Sequence, residues 1–283
     1  MTRISVIVTT YNRPDALAAC MDSLGDQTDR DFEVLLADDG SDERTAKILA
    51  RRGSDTEYGI AVKHVYHEDR GFRAATIRNK AVAASQGEYL VFIDGDCIVF
   101  PDFVAMHRKL ARPGYFVPGN RVLISRAFTD EVLKEQTPLH RRSWSYFLGL
   151  FLTRKINHIG SLVRLPLGPL RLLQKRKWKN AKTCNLGLWK SDFEKVNGFD
   201  EIFEGWGYED SDLVIRLIHA GILRKSGRHR VPVLHLWHAE NDRSREELNW
   251  QRLLERLKNP GLILAEKGIN QYTEALRTPE PSH

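Results

Sequence analysis

The chain has 283 residues, 42% of them hydrophobic and 28% charged, with a formal net charge of +6. These values exclude a disordered or fibrous protein and predict a globular one that buries a full core, as one large α/β domain or two small ones. Three widely spaced cysteines (Cys20, Cys97 and Cys184) form no CxxC pair, which argues against a zinc site and favours a reducing compartment. The amino terminus lacks a basic segment followed by a long apolar run, so we expect no signal peptide.

The first hundred residues alternate between apolar runs and helical patterns. Strands are predicted at 4–8, 32–37 and 62–66, and a fourth starts at 88. Helices are predicted from Pro14, over 43–52 and over 74–85, the last one ended by Gly87. This alternation predicts a parallel sheet with right-handed crossovers.

Acidic residues follow two of the predicted strands, as Asp38-Asp39 and as Asp94-Gly95-Asp96. Ligands of open α/β sheets bind beyond the carboxyl ends of the strands, so the two acidic pairs should share one rim. Two buried carboxylates require a cation, and Mg²⁺ or Mn²⁺ accepts such oxygen ligands. By itself, however, an Asp-Gly-Asp sequence is more often a solvated turn.

Four short motifs occur in a fixed order: Thr9-Thr-Tyr-Asn-Arg13, Asp38-Asp-Gly-Ser41, Arg78-Asn79 and Asp94-Gly-Asp96. Together they resemble the nucleotide-sugar half of a family 2 glycosyltransferase of the GT-A fold. The resemblance implies a Rossmann-like, mostly parallel sheet with helices on both faces. It also weakens the interpretation of Asp94 and Asp96 as a solvated turn.

The resemblance further implies a donor site for a uridine diphosphate sugar. Thr9 and Tyr11 would bracket the nucleoside, and Asp39 would accept a hydrogen bond from the base. Asp94 would contact the ribose, or the metal through water, and Asp96 would ligate the metal directly. The remaining donor-binding candidates are Arg13, Arg78 and Arg70, of which Arg70 could instead be a solvated loop residue.

The second half begins with a predicted helix after Pro101 and a strand over 114–122. A long aromatic and basic segment follows at about 140–182. None of its apolar runs reaches the roughly 20 residues needed to span a bilayer. Two interpretations stay open: a basic amphipathic segment lying on an anionic membrane, or a helical insertion that covers the acceptor cleft. A lipid-linked or lipopolysaccharide acceptor would suit the first.

The stretch from Gly205 to Leu213 is similar to a Gly-Trp-Gly motif of galactosyltransferases and chondroitin-type polymerases. Transfer to an alcohol needs a base, and a helix beginning at Asp210 would hold a carboxylate in its ionised form. We therefore predict Asp210 as the base and Glu209 as a ligand of the acceptor hydroxyl. Trp206 and Gly207 would contact the substrate. Acids that merely cap a helix are the alternative, but that would not explain the Gly-Trp-Gly.

A late strand over 231–238 carries His235 and ends at His238. Related GT-A enzymes supply a histidine to the metal from this region, and an imidazole ligand favours Mn²⁺ over Mg²⁺. His235 is the preferred ligand, because His238 could instead face the diphosphate. A helix at 246–257 and a polar tail with Pro279 and Pro281 end the chain.

These observations predict a single GT-A domain in two halves, 1–110 for the nucleotide sugar and 111–245 for acceptor and catalysis, followed by a helix and tail at 246–283. The predicted activity is inverting, metal-dependent transfer of a hexose or N-acetylhexosamine to a glycan or lipid-linked glycan in cell-surface polysaccharide or lipopolysaccharide synthesis. We expect a cytoplasmic protein, either free or peripheral on the inner face of the plasma membrane. The alternatives are a sugar-nucleotide pyrophosphorylase and a non-catalytic membrane-binding module. Nucleic acid is disfavoured as a partner, because the basic segment contains long aliphatics rather than spaced aromatic residues.

Overall fold

The computed structural model describes residues 2–52, 59–239 and 242–273. Its strands are β1 (Ile4–Thr10), β2 (Phe32–Asp38), β3 (Ala61–Tyr66), β4 (Tyr89–Asp94), β5 (Cys97–Val99), β6 (Tyr115–Pro118), β7 (Asn120–Leu123), β8 (Asn185–Trp189), β9 (Leu223–Arg224) and β10 (Pro232–His235). Its α-helices are α1 (Pro14–Gly25), α2 (Glu43–Arg52), α3 (Ala74–Ala83), α4 (Phe103–Leu110), α5 (Arg126–Glu135), α6 (Trp144–Leu152), α7 (Lys190–Lys195), α8 (Glu209–His219), α9 (Glu246–Lys258) and α10 (Asn270–Thr273). The predicted tail with Pro279 and Pro281 lies outside the described residues.

The central sheet of the described chain has seven strands in the order β3-β2-β1-β4-β8-β6-β9. β1 pairs in parallel with both β2 and β4, and β2 pairs in parallel with β3. The predicted parallel sheet of the first half is therefore confirmed. β8 runs antiparallel between β4 and β6, so the second half of the chain extends the same sheet.

Helices cover both faces of this sheet, which explains why the strands read as unbroken apolar runs. Ile4, Val6 and Val8 of β1 belong to one buried cluster, which also contains core residues of α1 and α4. Ile7 of the same strand belongs to the opposite cluster, with core residues of α3 and α8. Since successive side chains of a strand point to opposite faces, both sets must be apolar.

The strand predicted over 114–122 is wrong as a single element. The chain forms β6 in the central sheet and β7 in a second, three-stranded sheet of order β5-β10-β7. Gly119 separates them, and its N–H donates to the carbonyl of Asn185. A Cβ at Gly119 would lie 2.1 Å from Asn185 Nδ2, so only glycine allows this passage between sheets.

Gly87 does not end the preceding helix, contrary to the prediction, because α3 already ends at Ala83. Its backbone N–H instead donates to Ser5 Oγ at 2.8 Å. A Cβ at Gly87 would lie 2.4 Å from that oxygen and 2.6 Å from the Ser5 nitrogen. This glycine is therefore required by close approach to β1 rather than by helix capping.

Gly87→Ala should consequently destabilise the protein by about 1–3 kcal/mol, the usual cost of overpacking a rigid site. Denaturant unfolding monitored by circular dichroism measures this loss. Gly160→Ala is the matched control, because no atom outside the adjoining backbone lies within 4 Å of the position its Cβ would take. Equal stability of the two variants would contradict the explanation.

The basic segment is helical only in part. After α6 it contains two short 3₁₀ turns, Gly160–Leu162 and Gly168–Leu172, and no further α-helix up to Trp189 among the described residues. Pro166 and Pro169 limit longer helices there. Phe147, Leu150 and Ile156 pack in a third buried cluster with residues of β7, β10 and α5, so the segment is anchored on the smaller sheet. None of the helices in the described part of the chain is both long and apolar enough to cross a bilayer.

Candidate active site

A cavity of about 600 Å³ opens at the carboxyl ends of β1 and β4. It is lined by Thr9 of β1, by Asp39 just after β2, and by Asp94 and Asp96 at the end of β4. The acidic pairs therefore share one rim through Asp39, Asp94 and Asp96. Asp38 does not line the cavity, and its buried carboxylate accepts a hydrogen bond from the backbone N–H of Ser41 and contacts His64.

The cavity gathers every predicted site residue except Arg70. The predicted residues that line it are Thr9, Tyr11, Arg13, Asp39, Arg78, Asp94, Asp96, Trp206, Gly207, Glu209, Asp210, His235 and His238. Arg70 lies outside this lining, pairs with Glu68 at 3.2 Å, and its side chain is 72% exposed. The structure thus supports the solvated alternative for Arg70.

The donor side of the cavity is held in place by local hydrogen bonds. Asp39 accepts from the backbone N–H of Arg73 at 2.8 Å and contacts His67 Nε2 at 2.6 Å. Tyr11 donates its hydroxyl proton to Asp69 at 2.9 Å. These contacts orient the Asp39 carboxylate and the Tyr11 ring at the mouth of the cavity.

Arg78 is buried and joins the two acidic groups of the site. Its Nε donates to Thr9 Oγ1 at 3.0 Å, its Nη1 to Glu209 Oε1 at 3.1 Å and its Nη2 to Asp94 Oδ1 at 3.3 Å. Burial and the nearby Asp210 carboxylate raise the pKa of Glu209, and Arg78 offsets only part of that effect. Arg78 was predicted to contact the phosphate of the nucleotide sugar. Its N–H groups are instead bonded to neighbouring side chains of the protein.

Arg78→Gln should leave these carboxylates without their buried cation, at a cost of about 3–5 kcal/mol in the free energy of unfolding. The pKa of Glu209 is raised, so its ionised form is disfavoured in the fold. The loss of stability in Arg78→Gln should therefore shrink as pH falls, because the Glu209 carboxyl takes up a proton and no longer needs a cation. Urea unfolding at pH 8 and at pH 5 measures both effects. Arg44→Gln, at an exposed arginine, should leave stability unchanged.

Two histidines and one carboxylate meet at the end of β10. His235 Nε2 lies 3.4 Å from Asp96 Oδ1, and His238 Nε2 lies 3.8 Å from Asp96 Oδ2. β10 ends at His235, so His238 lies past the strand rather than at its end as predicted. His238 Nδ1 lies 2.7 Å from the carbonyl oxygen of Ala239. When Nδ1 donates a hydrogen bond to that oxygen, the lone pair of Nε2 is available to a metal.

This donor set fits a divalent cation of the Mn²⁺ type, since it combines a carboxylate with two imidazoles. Arg13 Nη1 also donates to Asp96 Oδ2 at 2.7 Å, so Arg13 and a metal would share the charge of that carboxylate. Cys97 lies close by, but burial raises the pKa of its thiol and the thiol contacts the carbonyl of Cys184. A metal ligand would need the thiolate, so Cys97 fits less well than the histidines.

The Gly-Trp-Gly stretch shapes the entrance to α8. Gly205 and Gly207 have φ of 73° and 112°, and Tyr208 has φ of 71°, unusual for a bulky residue. Gly205 and Gly207 thus have backbone conformations that other residues rarely adopt. Tyr208 is held by ring contact with Trp250 at 5.2 Å, and α8 begins directly after it, at Glu209.

Asp210 faces the cavity beside a lysine that the sequence did not distinguish. Lys182 Nζ donates to Asp210 Oδ1 at 3.3 Å, and Ser211 Oγ donates to the same oxygen at 3.2 Å. Burial disfavours the charged form of Lys182, yet the Asp210 carboxylate outweighs this and raises its pKa. Lys182 stands in a run of basic residues, so no sequence signal separates it from its neighbours.

Asp212, the third acid of α8, has a structural role instead. Its carboxylate accepts from Arg216 at 2.7 Å and from Arg256 at 2.9 Å, and Arg256 also pairs with Asp200. These buried ion pairs fasten α8 to α9. Further cavity-lining residues that the sequence did not indicate include Arg121, Trp237, Arg243 and Glu246.

Comparisons with known proteins agree with this arrangement. A profile described as "Glycosyl transferase family 2" matches residues 5–168, and one described as "N-terminal domain of galactosyltransferase" matches residues 173–235. The chain is similar to a validoxylamine A glucosyltransferase of Streptomyces hygroscopicus subsp. jinggangensis, at 30% identity over 233 residues, which cover 77% of this chain and 52% of that protein. It is also similar to chondroitin synthase of Escherichia coli, at 28% identity over 247 residues, covering 79% and 33%.

A solved structure described as GalNAc-T7 with UDP, GalNAc and Mn²⁺ superposes with a TM-score of 0.63 at 16% identity, covering 90% of this chain and 48% of that one. At this identity the likeness concerns the fold alone, and it confirms the predicted GT-A fold. The chain spans about half the length of the glucosyltransferase and about a third of the chondroitin synthase.

Proposed function

The chain belongs to glycosyl transferase family 2, and from that premise we propose that it transfers a sugar, with inversion, from a uridine diphosphate donor to a glycan hydroxyl in a metal-dependent reaction. The observation that carries this proposal is one cavity lined by Asp39, Asp94, Asp96 and Asp210, in which Arg78 bridges Asp94 and Glu209. A donor site and a base are thereby within reach of the same substrate. Family membership argues against the pyrophosphorylase alternative.

Asp210 is proposed as the base. Its carboxylate accepts the proton of the acceptor hydroxyl while that oxygen forms a bond to the anomeric carbon. The bond between the anomeric carbon and the diphosphate oxygen breaks, and the diphosphate leaves with the electron pair. A single displacement of this kind inverts the anomeric centre. Glu209 would bind the acceptor hydroxyl, and Lys182 would keep the Asp210 carboxylate oriented.

Asp96, His235 and His238 are the residues proposed to hold the metal. Bound there, a divalent cation supplies positive charge that offsets the developing charge of the leaving diphosphate. Arg13, bonded to Asp96, adds a second positive group on the same side of the cavity. Two imidazoles in the set favour Mn²⁺, and the solved structure of similar fold that is described with UDP, GalNAc and Mn²⁺ supports that choice.

We propose that residues 1–110 form the donor half and residues 111–245 the acceptor half, although His235 and His238, two of the proposed metal ligands, belong to the second. Thr9, Tyr11 and Asp39 would bind the nucleoside, and Asp94 the ribose. Trp206 would offer its face to a sugar ring, although Arg243 lies over that ring at 4.7 Å. An acceptor that belongs to a cell-surface polysaccharide or lipopolysaccharide, and is lipid-linked, would suit the basic segment at 140–182 and the similarity to chondroitin synthase.

Slow hydrolysis of a panel of nucleotide sugars, with and without Mn²⁺, tests the donor class. We expect metal-stimulated release of UDP from UDP-hexose or UDP-N-acetylhexosamine. Hydrolysis of only guanosine or thymidine diphosphate sugars would contradict the assignment of Asp39 to uracil. Hydrolysis that EDTA leaves unchanged would contradict the metal.

A further inference from the structure

The segment between Glu135 and Asp192 has a charge pattern unlike the rest of the chain. It contains no aspartate or glutamate, whereas twelve lysines and arginines lie within it. Some of these cations are committed to the fold. Arg141 pairs with Asp26, Lys155 with Glu131 and Arg164 with Asp102, while Arg171 donates to backbone carbonyls of Ser226 and Arg228.

Six other cations of the segment are exposed and form no ion pair among the described residues. They are Arg142, Arg154, Lys175, Arg176, Lys177 and Lys179. Two of them lie on aromatic rings, Arg142 on Tyr146 and Lys179 on Trp178. The remaining positive charge therefore faces solvent without a protein partner of opposite sign.

Helix α6 within this segment carries an exposed apolar face. Phe147 and Leu150 pack into the core, but Trp144, Phe151 and Leu152 are 51%, 39% and 72% exposed. Residues 144, 148, 151 and 152 lie on one side of a helix, and at these four positions stand Trp, Leu, Phe and Leu. The helix itself carries no charged residue, while arginines flank it at 142 and 154.

We propose that this exposed face of α6, with Arg142 and Arg154 flanking it, docks on an anionic lipid bilayer. An apolar helix face bounded by cations matches the interface of acyl chains and anionic headgroups, where rings and aliphatic side chains enter and arginines stay at the headgroups. A second copy of the chain is a poorer occupant, because two equally basic surfaces repel each other. Nucleic acid would match the charge but leave Leu152 and the other aliphatics exposed.

Helix α6 is connected to the acceptor side of the cavity, so the proposed docking deepens the proposed function and rests on it. Ile156, just after α6, pairs with Ile124, and Asn157 accepts from the backbone N–H of Leu123. Leu123 and Ile124 line the cavity. Docking would thus bring that wall toward the bilayer, where a lipid-linked acceptor would be held.

Flotation with phosphatidylcholine vesicles, with and without phosphatidylglycerol, tests the proposal. We expect binding only to vesicles that contain phosphatidylglycerol, weakened by salt, and lowered about tenfold or more in Phe151→Ser/Leu152→Ser, since acyl-region contact is lost. The matched control is Leu262→Ser/Leu264→Ser, at leucines of comparable exposure elsewhere on the chain, which should bind as the parent does.

No binding to anionic vesicles would overturn the proposal, and so would binding that the Phe151/Leu152 double variant leaves unchanged. Capture by single-stranded RNA without vesicle binding would also overturn it and favour a polyanion partner. Release of UDP in solution should be equal in the parent and both double variants. A parent that releases UDP but ignores vesicles refutes the docking surface alone, whereas one that binds vesicles but releases no nucleotide refutes the proposed function alone.

Discussion

Asp210→Asn should lower the turnover of sugar transfer by roughly 10²- to 10⁴-fold, the usual contribution of a general base. The amide keeps the size of the side chain and can still accept from Lys182 and Ser211, so the surrounding structure should persist. Its oxygen is too weakly basic to take the hydroxyl proton. Binding of UDP with Mn²⁺, measured by calorimetry, should therefore remain near that of the parent while the rate of transfer collapses.

Asp15→Asn is the control for this change. Asp15 is also an aspartate in the first turn of a helix, α1, but it is exposed and does not line the cavity. It should transfer sugar at the parental rate. Normal turnover in Asp210→Asn would end the assignment of Asp210 as base and would direct attention to Glu209.

Asp96→Asn should weaken Mn²⁺ binding by more than about 100-fold, because even loss of a residue that merely orients a metal ligand costs 10- to 100-fold. Electron paramagnetic resonance of free Mn²⁺ measures this directly, without relying on activity. UDP affinity in Mn²⁺ should fall to the value that the parent shows in EDTA. Arg13 would also lose its ion pair with Asp96, although the amide oxygen can still accept its hydrogen bond.

Asp94→Asn provides the comparison, as Asp94 is bonded to Arg78 and lies on the same turn. It should retain most of its affinity for Mn²⁺, since its predicted contact with the metal is through water. Single changes of His235 and His238 to alanine then divide the imidazole contribution between them. If Asp96→Asn bound Mn²⁺ as tightly as the parent, the metal site would lie elsewhere.

Much of the fold follows from local patterns. Strands β1, β2 and β4 are buried on both faces, and such strands show unbroken apolar runs that mark them clearly. The errors occur where distant contacts override local preference. Gly119 divides one predicted strand into two because Asn185 lies against it. Gly87 is required by its close contact with Ser5 rather than by the end of the preceding helix. Neither neighbour is close in the sequence.

The candidate site also has features that local patterns predicted and features that depend on distant contacts. The order of motifs indicated which acids gather at the rim, because parallel strands align their carboxyl ends regardless of how side chains pack. It did not indicate how charges pair. Arg78 looked like a phosphate ligand, yet it bridges Asp94 and Glu209; Lys182 looked like one of many lysines, yet it contacts Asp210.

The sequence by itself therefore determined the parallel sheet, the family and thirteen of the residues that line the cavity, since each depends on patterns within a short stretch or on the order of such stretches. Only the tertiary structure decided that Arg70 stays at the surface, that Asp212 belongs to the ion pairs under α8, and that His235 and His238 both face Asp96. These are matters of charge pairing and burial. They depend on which side chains the fold brings together, some of them as far apart in the sequence as Asp96 and His235, and no local pattern encodes that proximity.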